Sequence, residues 1–162
     1  MNLDTLIPHR PPFRLIDQVL DHAPDWVLTG ATIEQDNALY DAARGGVPAW
    51  CSVEYMAQTA AVWVGLSESA AEAAQPAFLI SARSVQSSVA SFSLGAMLQV
   101  RVDVNLIDGP IVAFHGKITQ CVNDEWQTVS EGEFSAFRPD SLEDYLRLSD
   151  PQHVAQAGQG AL

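Results

Sequence analysis

The sequence predicts an α+β fold in which an antiparallel sheet wraps around one long helix. From Ser52 to about Ser69, apolar residues recur at helical spacing and alanines fill the flanks. A helix that is apolar on nearly all sides is typical of one enclosed by other elements. A hairpin pattern precedes this helix, and four strand-like runs separated by turn residues follow it.

The first segment, Leu3–Pro12, ends in Pro-His-Arg-Pro-Pro. Because these prolines cannot continue a helix, the chain should run extended into the next element. Residues 13–20 and 26–33 are predicted as the two strands of the hairpin, with a turn at residues 22–25. Residues 35–48 are rich in turn formers and lead into the helix.

After the helix, turn residues separate each strand-like run from the next. The predicted strands are Phe78–Val89, Met97–Ile107, Ile111–Cys121 and Glu125–Phe137. This pattern predicts one domain over residues 1–138 and a C-terminal extension over residues 139–162. Within the extension, Ser141 is placed to cap a short amphipathic helix, and the composition after Pro151 predicts disorder.

The composition is 48% hydrophobic and 17% charged, which is typical of a packed globular protein, and the formal net charge is −12. That charge argues against binding to nucleic acids or anionic membranes. The N-terminus has no signal-peptide pattern and no apolar run could span a membrane, so a cytoplasmic protein is expected. Cys51 and Cys121 have no metal-ligand spacing and are predicted to be reduced thiols; neither a metal nor a cofactor is implied. A nucleophilic Cys51 is the alternative.

Glu54 is a lone carboxylate one turn into the apolar helix, behind the turn Gly45-Gly-Val-Pro48. An ionised carboxylate is costly to bury without partners, and a buried carboxylic acid can hold a proton that it donates near neutral pH. The alternative is a glutamate that caps its own helix. Gln58 follows one turn later on the same face, so it either orients the Glu54 carboxyl group or points toward a loop.

Two motifs resemble those of one enzyme family. The stretch Leu6-Ile-Pro-His-Arg-Pro-Pro-Phe-Arg-Leu-Ile-Asp17 resembles the opening of FabZ-type 3-hydroxyacyl-[acyl carrier protein] dehydratases. The stretch from Pro48 to Glu54-Tyr-Met-Ala-Gln58 resembles the start of their central helix. The group most similar is the FabZ-like proteins of aryl polyene pigment clusters, whose helix start similarly reads Val-Pro-Ala-Trp…Glu-Tyr-Met-Ala-Gln. The resemblance covers about residues 3–138 and implies a dimeric hotdog fold.

The resemblance also implies a reaction, the loss of water from a 3-hydroxyacyl thioester on acyl carrier protein to give a trans-2-enoyl thioester. In the family, a histidine of one protomer takes a proton from C2, and a carboxyl group of the other protonates the departing 3-hydroxyl group. Amides at the helix N-terminus polarise the thioester carbonyl. Transferred to this sequence, Glu54 matches the acid, and the amides of Ala49 and Trp50 match the carbonyl-holding turn. The Trp50 side chain is either plain core or interface, or part of the acyl channel.

The sequence departs from the family at the base. Tyr40 stands at the position of the family histidine, and Asp41, one residue on, is a carboxylate that a shifted loop could present as the base. Since a tyrosine hydroxyl is a poor base, two other sources are considered. His9 either acts in catalysis or fixes the Pro-His-Arg turn by hydrogen bonding. A homologous partner chain could instead supply the histidine, so that one complete site forms per heterodimer. The remaining histidines are predicted to be half-buried and structural (His115) or exposed (His22 and His153).

Binding of an acidic carrier protein by so acidic a chain must depend on few arginines or on a partner subunit. The candidate arginines are Arg44, Arg83 and Arg101. Two alternative functions remain at this stage. One is a catalytically silent hotdog subunit that supports an active partner, and the other is a hotdog thioesterase in which a helix-borne carboxylate activates water.

Overall fold

The structure, a computed structural model, describes residues 1–67 and 78–138. Its one described α-helix, α1, spans Ser52–Ser67, preceded by short 3-10 turns at Leu3–Thr5 and Ala49–Cys51. The strands are β1 Gln18–Ala23, β2 Trp26–Thr32, β3 Gly46–Pro48, β4 Phe78–Ser87, β5 Ser91–Ser93, β6 Met97–Asp108, β7 Ile111–Val122 and β8 Glu125–Phe137. The capped helix after Ser141, the disordered tail and His153 were predicted for positions outside the described residues.

Six strands form one antiparallel sheet in the order β1-β2-β6-β7-β8-β4, and β3 pairs with β5 in a separate ribbon. In β6 and β7, alternate residues are buried, so each strand turns one face toward α1 and the other outward. The predicted layout, a sheet around one helix, is therefore confirmed. Among the described residues, no helix combines the length and the apolar character needed to cross a membrane.

Close contact between α1 and the sheet depends on small residues. Gly116 of β7 lies against Met56, and a Cβ atom added there would stand 2.6 Å from the Met56 sulfur. Nearby, the hydroxyls of Thr29 and Thr59 share a buried hydrogen bond of 2.7 Å between β2 and the helix. Because both hydroxyls are satisfied by each other, this polar pair can sit in the core without the cost of an unpaired group.

Residues 1–17, here called the N-terminal arm, lie along α1. Near one end of the helix, Gly65 meets the Leu6 carbonyl so closely that an added Cβ would stand 2.3 Å from that oxygen. Toward the other end, the buried Gln58 side chain bonds to the backbone of Phe13 and Leu15. The arm is thus held at two places along the helix.

The first predicted strand began too early. It was predicted over residues 13–20, but β1 begins at Gln18. The amides of Phe13 and Arg14 bond to the Arg10 carbonyl in a turn, and the Leu15 amide bonds to the Gln58 side chain. Since a strand needs its amides for the neighbouring strand, residues 13–15 belong to the arm.

The ribbon of β3 and β5 lies where turns were predicted. It pairs Val47 with Phe92, and both side chains are fully buried. Each strand has only three residues, too short for an alternating pattern to show in the sequence. β4 ends at Ser87 rather than Val89, while the bounds predicted for β6, β7 and β8 agree with the structure to within one residue.

Candidate active site

A cavity of about 530 Å³ lies at the start of α1. The N-terminal arm, the loop before β3 and the first turns of the helix all contribute walls to it. The lining residues are His9, Phe13, Leu15, Ala38, Leu39, Trp50, Cys51, Val53 and Glu54. Four residues singled out from the sequence therefore meet at one site, namely Glu54, His9, Trp50 and Cys51.

The Glu54 side chain is 46% exposed in the single chain, so the buried carboxylate expected from the sequence is wrong for this chain alone. Its Oε1 atom accepts a hydrogen bond of 2.8 Å from Gln58 Nε2. Within the described part of the chain, the carboxylate accepts no bond from an amide of the first helical turn, so the capping alternative does not apply. Glu54 is a fixed carboxylate at the cavity wall.

Gln58 is 1% exposed and uses both ends of its side-chain amide. Its Oε1 accepts from the Leu15 amide at 2.8 Å, and its Nε2 donates to the Phe13 carbonyl at 2.9 Å as well as to Glu54. Both alternatives predicted from the sequence are therefore realised in part: Gln58 orients the carboxylate and also binds a neighbouring segment. It links the position of Glu54 to that of the N-terminal arm.

His9 faces Glu54 from the arm, with 3.8 Å between His9 Nε2 and Glu54 Oε1. This separation exceeds a hydrogen bond but is close enough for a proton to pass after a small side-chain movement. The other ring nitrogen, Nδ1, is buried and has no hydrogen-bond partner among the described residues. The imidazole is therefore beside the carboxylate without being tied to the fold.

Arg10, not the His9 side chain, fixes the Pro-His-Arg turn. Its guanidinium donates to the carbonyls of Ile7 and His9 at 2.8 Å each and to that of Asp4 at 2.9 Å. The alternative in which the His9 ring stabilises the turn is thus wrong, because Arg10 already satisfies these carbonyls. The rigid turn instead presents His9 to the cavity.

The structure does not bring Tyr40 or Asp41 to the cavity lining. Tyr40 is half-buried against the core, and its amide closes a turn on the Asn37 carbonyl. The Asp41 carboxylate binds Arg44 Nε at 3.1 Å and the Ala43 amide at 2.9 Å. In the single chain, the Tyr40 side chain packs against the core and the Asp41 carboxylate is bound within the loop before β3, so neither lines the cavity beside Glu54.

The two backbone amides predicted to hold the substrate carbonyl differ in whether another segment of the chain already accepts their hydrogen bond. The Ala49 amide donates to the Ala90 carbonyl at 3.0 Å, so its assignment to a carbonyl-holding turn is wrong. The Trp50 amide bonds to no other backbone segment in the described residues, and amides at a helix start lack acceptors within the helix. The Trp50 side chain is 75% exposed and Phe13 is 68% exposed, which forms an aromatic rim around the cavity.

Cys51 lies in the cavity wall as a buried, free thiol. Burial, and secondarily the charge of Glu54, raises the pKa of the Cys51 thiol. Since the thiolate is the nucleophilic form, these surroundings argue against the alternative of a nucleophilic cysteine. Cys121 is also free and is half-buried.

The remaining predicted residues lie away from the cavity. His115 is half-buried in β7, between its register partners Asp103 and Glu133, and His22 is exposed, both as predicted. Of the candidate docking arginines, Arg44 pairs with Asp41 and Arg101 pairs with Asp103 while lying over the Trp26 ring. Arg83 is exposed on β4.

Sequence reasoning missed the five apolar cavity residues, which are Phe13, Leu15, Ala38, Leu39 and Val53. Phe13 had been assigned to a strand, and Leu39 lies in a turn-rich loop whose pattern gives no sign of where its side chain points. The only signal for Phe13 was its position directly after Pro-Pro, which favours an irregular backbone.

The whole described chain falls within a known family. The sequence matches the ApeP-like family, described as ApeP dehydratase, over residues 1–147. The chain belongs to this family. The relationship to FabZ-like dehydratases that the two motifs predicted is thereby confirmed. None of the curated proteins matches the chain.

Solved structures agree with this architecture. The dehydratase heterocomplex ApeI:P from Xenorhabdus doucetiae superposes with a TM-score of 0.78 at 23% identity, covering 93% of this chain and 99% of that chain. Zebrafish thioesterase superfamily member 2 gives a TM-score of 0.57 at 13% identity, with coverages of 75% and 80%. A hypothetical thioesterase with coenzyme A from Streptococcus pneumoniae gives 0.56 at 13%, with coverages of 74% and 83%. At these identities the likeness concerns the fold, which is the predicted hotdog fold.

Proposed function

We propose that this chain takes part in removing water from 3-hydroxyacyl thioesters carried on acyl carrier protein, which gives trans-2-enoyl thioesters. The observation that carries the proposal is the carboxyl group of Glu54, held by Gln58 at a cavity whose other walls are largely apolar. Membership of a dehydratase family supports the same reaction class.

Glu54 is the proton donor in this proposal. Hydroxide is a poor leaving group, so the C3–O bond breaks readily only when an acid protonates the oxygen as it departs. The Gln58 N–H bonds to Oε1, which leaves the other carboxyl oxygen to carry the proton. The Trp50 amide, at the positive end of the helix, can polarise the thioester carbonyl and so stabilise negative charge developing at C2.

A second hotdog chain is proposed to close the site. In the single chain, Glu54 is half-exposed and two large aromatic side chains, Trp50 and Phe13, stand open to solvent at the rim. Covering them would exclude water from the Glu54 carboxyl group and from a substrate bound beside it. The similar structure from Xenorhabdus doucetiae is a dehydratase heterocomplex, which supports a homologous partner chain for this protein, as a homodimer or a heterodimer.

Docking of the carrier protein is proposed to depend on Arg83 and on the partner. The chain carries a formal charge of −12, and Arg44 and Arg101 are already paired with aspartates. An acidic carrier would be repelled by most of this surface, so a less acidic partner subunit would improve its docking.

The test is an assay of the purified protein, alone and co-expressed with a FabZ-like homologue that carries the family histidine. Each preparation receives 3-hydroxyacyl and enoyl thioesters on acyl carrier protein, and products are identified by mass spectrometry. Interconversion with loss or gain of water supports the proposal. Release of free acid would instead favour the thioesterase, in which Glu54 activates water. Inertness of the protein alone, with undiminished activity of the complex after Glu54→Gln, would favour a silent subunit.

A further inference from the structure

We propose that Asn37 is a positioning residue of this site, which fixes Leu39 through Tyr55 as the wall that selects the acyl group of the substrate. The inference rests on the proposed function, in which an acyl thioester occupies the cavity at the start of α1. Leu39 and Ala38 line this cavity from the loop before β3. Leu39 is the larger of the two and packs partly against the core, so its position decides how much space that side of the cavity leaves.

Asn37 holds Leu39 through both ends of its side-chain amide. Its Oδ1 accepts a hydrogen bond of 2.8 Å from the Leu39 amide, and its Nδ2 donates to the Tyr55 hydroxyl at 3.0 Å. The first bond closes a turn of the kind that asparagine favours, and the second attaches this turn to α1. Although Leu39 lies in a loop, one side chain therefore connects it to the central helix.

Tyr55 is a rigid anchor for this loop. Its side chain is fully buried, and its ring meets that of Phe92 edge to face, with 6.2 Å between the ring centroids. Burial raises the pKa of the Tyr55 hydroxyl, so the group stays neutral and needs a hydrogen-bond partner, which Asn37 provides. A phenylalanine ring would fill the same space in the core, so the hydroxyl adds the link to the loop.

The bond between Asn37 and Tyr55 completes a set of connections among the three walls of the cavity. Gln58 binds the N-terminal arm to α1. The Ala38 amide donates to the Pro12 carbonyl at 3.3 Å, which joins the loop to the arm. Asn37 supplies the third connection, between the loop and α1. Since each wall is held by the other two, the cavity has its shape before a substrate binds, and a preorganised cavity can select by shape.

A fixed apolar wall discriminates between acyl groups of different size. In an apolar pocket, one methylene group more or less changes binding by about 10- to 200-fold. Among the other apolar walls, Leu15 is buried and Val53 belongs to the helix, so neither can retreat from a bulky substrate. Leu39 lies in a loop and keeps its place only while Asn37 holds it. The selectivity of the cavity should therefore depend on this bond.

The test measures the binding of two saturated thioesters, butanoyl pantetheine and octanoyl pantetheine, by titration calorimetry. The full-length protein is used alone and in complex with the FabZ-like homologue. Neither probe has a 3-hydroxyl group, so the measurement does not require turnover. We expect Leu39→Ala to change the ratio of the two dissociation constants about tenfold in favour of octanoyl pantetheine, because the longer chain can fill the space that the leucine leaves.

Two further variants test the positioning role. Asn37→Ala and Tyr55→Phe should each shift the ratio in the same direction by about threefold, the equilibrium equivalent of one net hydrogen bond. Because both residues act through one bond, the double variant should shift the ratio no further than Asn37→Ala alone. The matched control is Asn105→Ala, which removes an exposed asparagine of β6 and should leave the ratio unchanged.

The outcomes are distinguishable. An unchanged ratio in Leu39→Ala overturns the assignment of the wall, and additive shifts in the double variant overturn the link through Tyr55. Equal weakening of both probes in Asn37→Ala, with a lowered unfolding temperature, overturns the inference in favour of a purely structural role, and so does binding of neither probe by the unsubstituted protein in either preparation. The expected shifts without dehydration of any 3-hydroxyacyl thioester support the wall and remove the proposed reaction.

Discussion

The cavity at the start of α1 and the outer face of the sheet each contain carboxylate and imidazole side chains, but the carboxylates have different partners in the two places. On the outer face, Asp103, His115 and Glu133 are neighbours in register on three adjacent strands. Asp103 there is bound by Arg101 through two guanidinium nitrogens, with a shortest contact of 2.7 Å. In the cavity, Glu54 has no arginine or lysine partner among the described residues and faces His9 instead.

The difference shows what turns titratable residues into a candidate site. Paired charges on a solvated sheet face satisfy each other and have little left to offer a substrate. At the cavity, a neutral amide holds the carboxylate while apolar walls formed by Leu15, Leu39 and Val53 can exclude water. A carboxyl group that is oriented but not neutralised by a cation can exchange protons with a substrate.

The largest effect should come from Glu54→Gln. The substitution keeps the size of the side chain but removes the exchangeable proton, so we expect kcat for dehydration to fall by about 10²–10⁴-fold. Steady-state measurement of enoyl thioester formation checks this. Glu133→Gln, an equal change on the outer face, should leave kcat unaltered. Equal losses in the two variants would erase the distinction between the two regions.

Gly65→Ala tests whether the position of the N-terminal arm affects activity at the cavity. An added Cβ would stand 2.3 Å from the Leu6 carbonyl, so the N-terminal arm must shift and carry His9 with it. A displacement of about 1 Å can cost about 10²-fold in kcat. Alanine has a higher helix propensity than glycine, so the substitution should not weaken the helix itself. Any loss of activity would therefore reflect displacement of the arm.

Gly30→Ala is the matched control for this change. In β2 the new methyl group would meet its nearest atoms at an ordinary 3.4 Å, so activity should not change. The unfolding temperature of each variant, measured in parallel, separates misplacement of the arm from loss of the fold. Wild-type kcat in a folded Gly65→Ala variant would contradict the importance of arm position.

Gln58→Leu should act on stability and activity together. It removes the partners of the Leu15 amide, the Phe13 carbonyl and Glu54. Unpaired buried groups cost about 1–3 kcal/mol in free energy of unfolding, which urea denaturation measures. We expect kcat to fall about tenfold, because both Glu54 and the arm lose their common anchor. The exposed Gln127→Leu should change neither quantity appreciably, and matching effects would contradict the role of Gln58.

The smallest effect is expected for Cys51→Ala. The pKa of this buried thiol is raised, so at neutral pH it should neither attack a thioester nor react quickly with iodoacetamide. Activity should stay within about twofold of wild type, since a buried cysteine packs like a small apolar residue and alanine is one. A loss comparable to that of Glu54→Gln would restore the cysteine as a nucleophile. Mass spectrometry after alkylation compares the reactivity of Cys51 with that of half-buried Cys121.

Local patterns predicted much of this fold and part of its site. The helix and β6, β7 and β8 have enough residues for their periodicity to be clear. The predicted start of the helix and the predicted bounds of these three strands agree closely with the structure. Glu54 and Gln58 could be paired from sequence because residues four apart share a helix face. The ribbon of β3 and β5 could not be predicted from the sequence, because three-residue strands carry no periodic signal.

The sequence by itself determined the helix, the alternation of the long strands and a carboxylate six residues after Pro48. Only the tertiary structure decided that His9 faces Glu54, that Ala90 occupies the Ala49 amide, and that Trp50 stands at an open rim. The physical reason is that periodicity records only which face of an element is apolar. Contacts between segments far apart in the chain depend on how the elements pack, as where Gly65 lets the arm approach the helix.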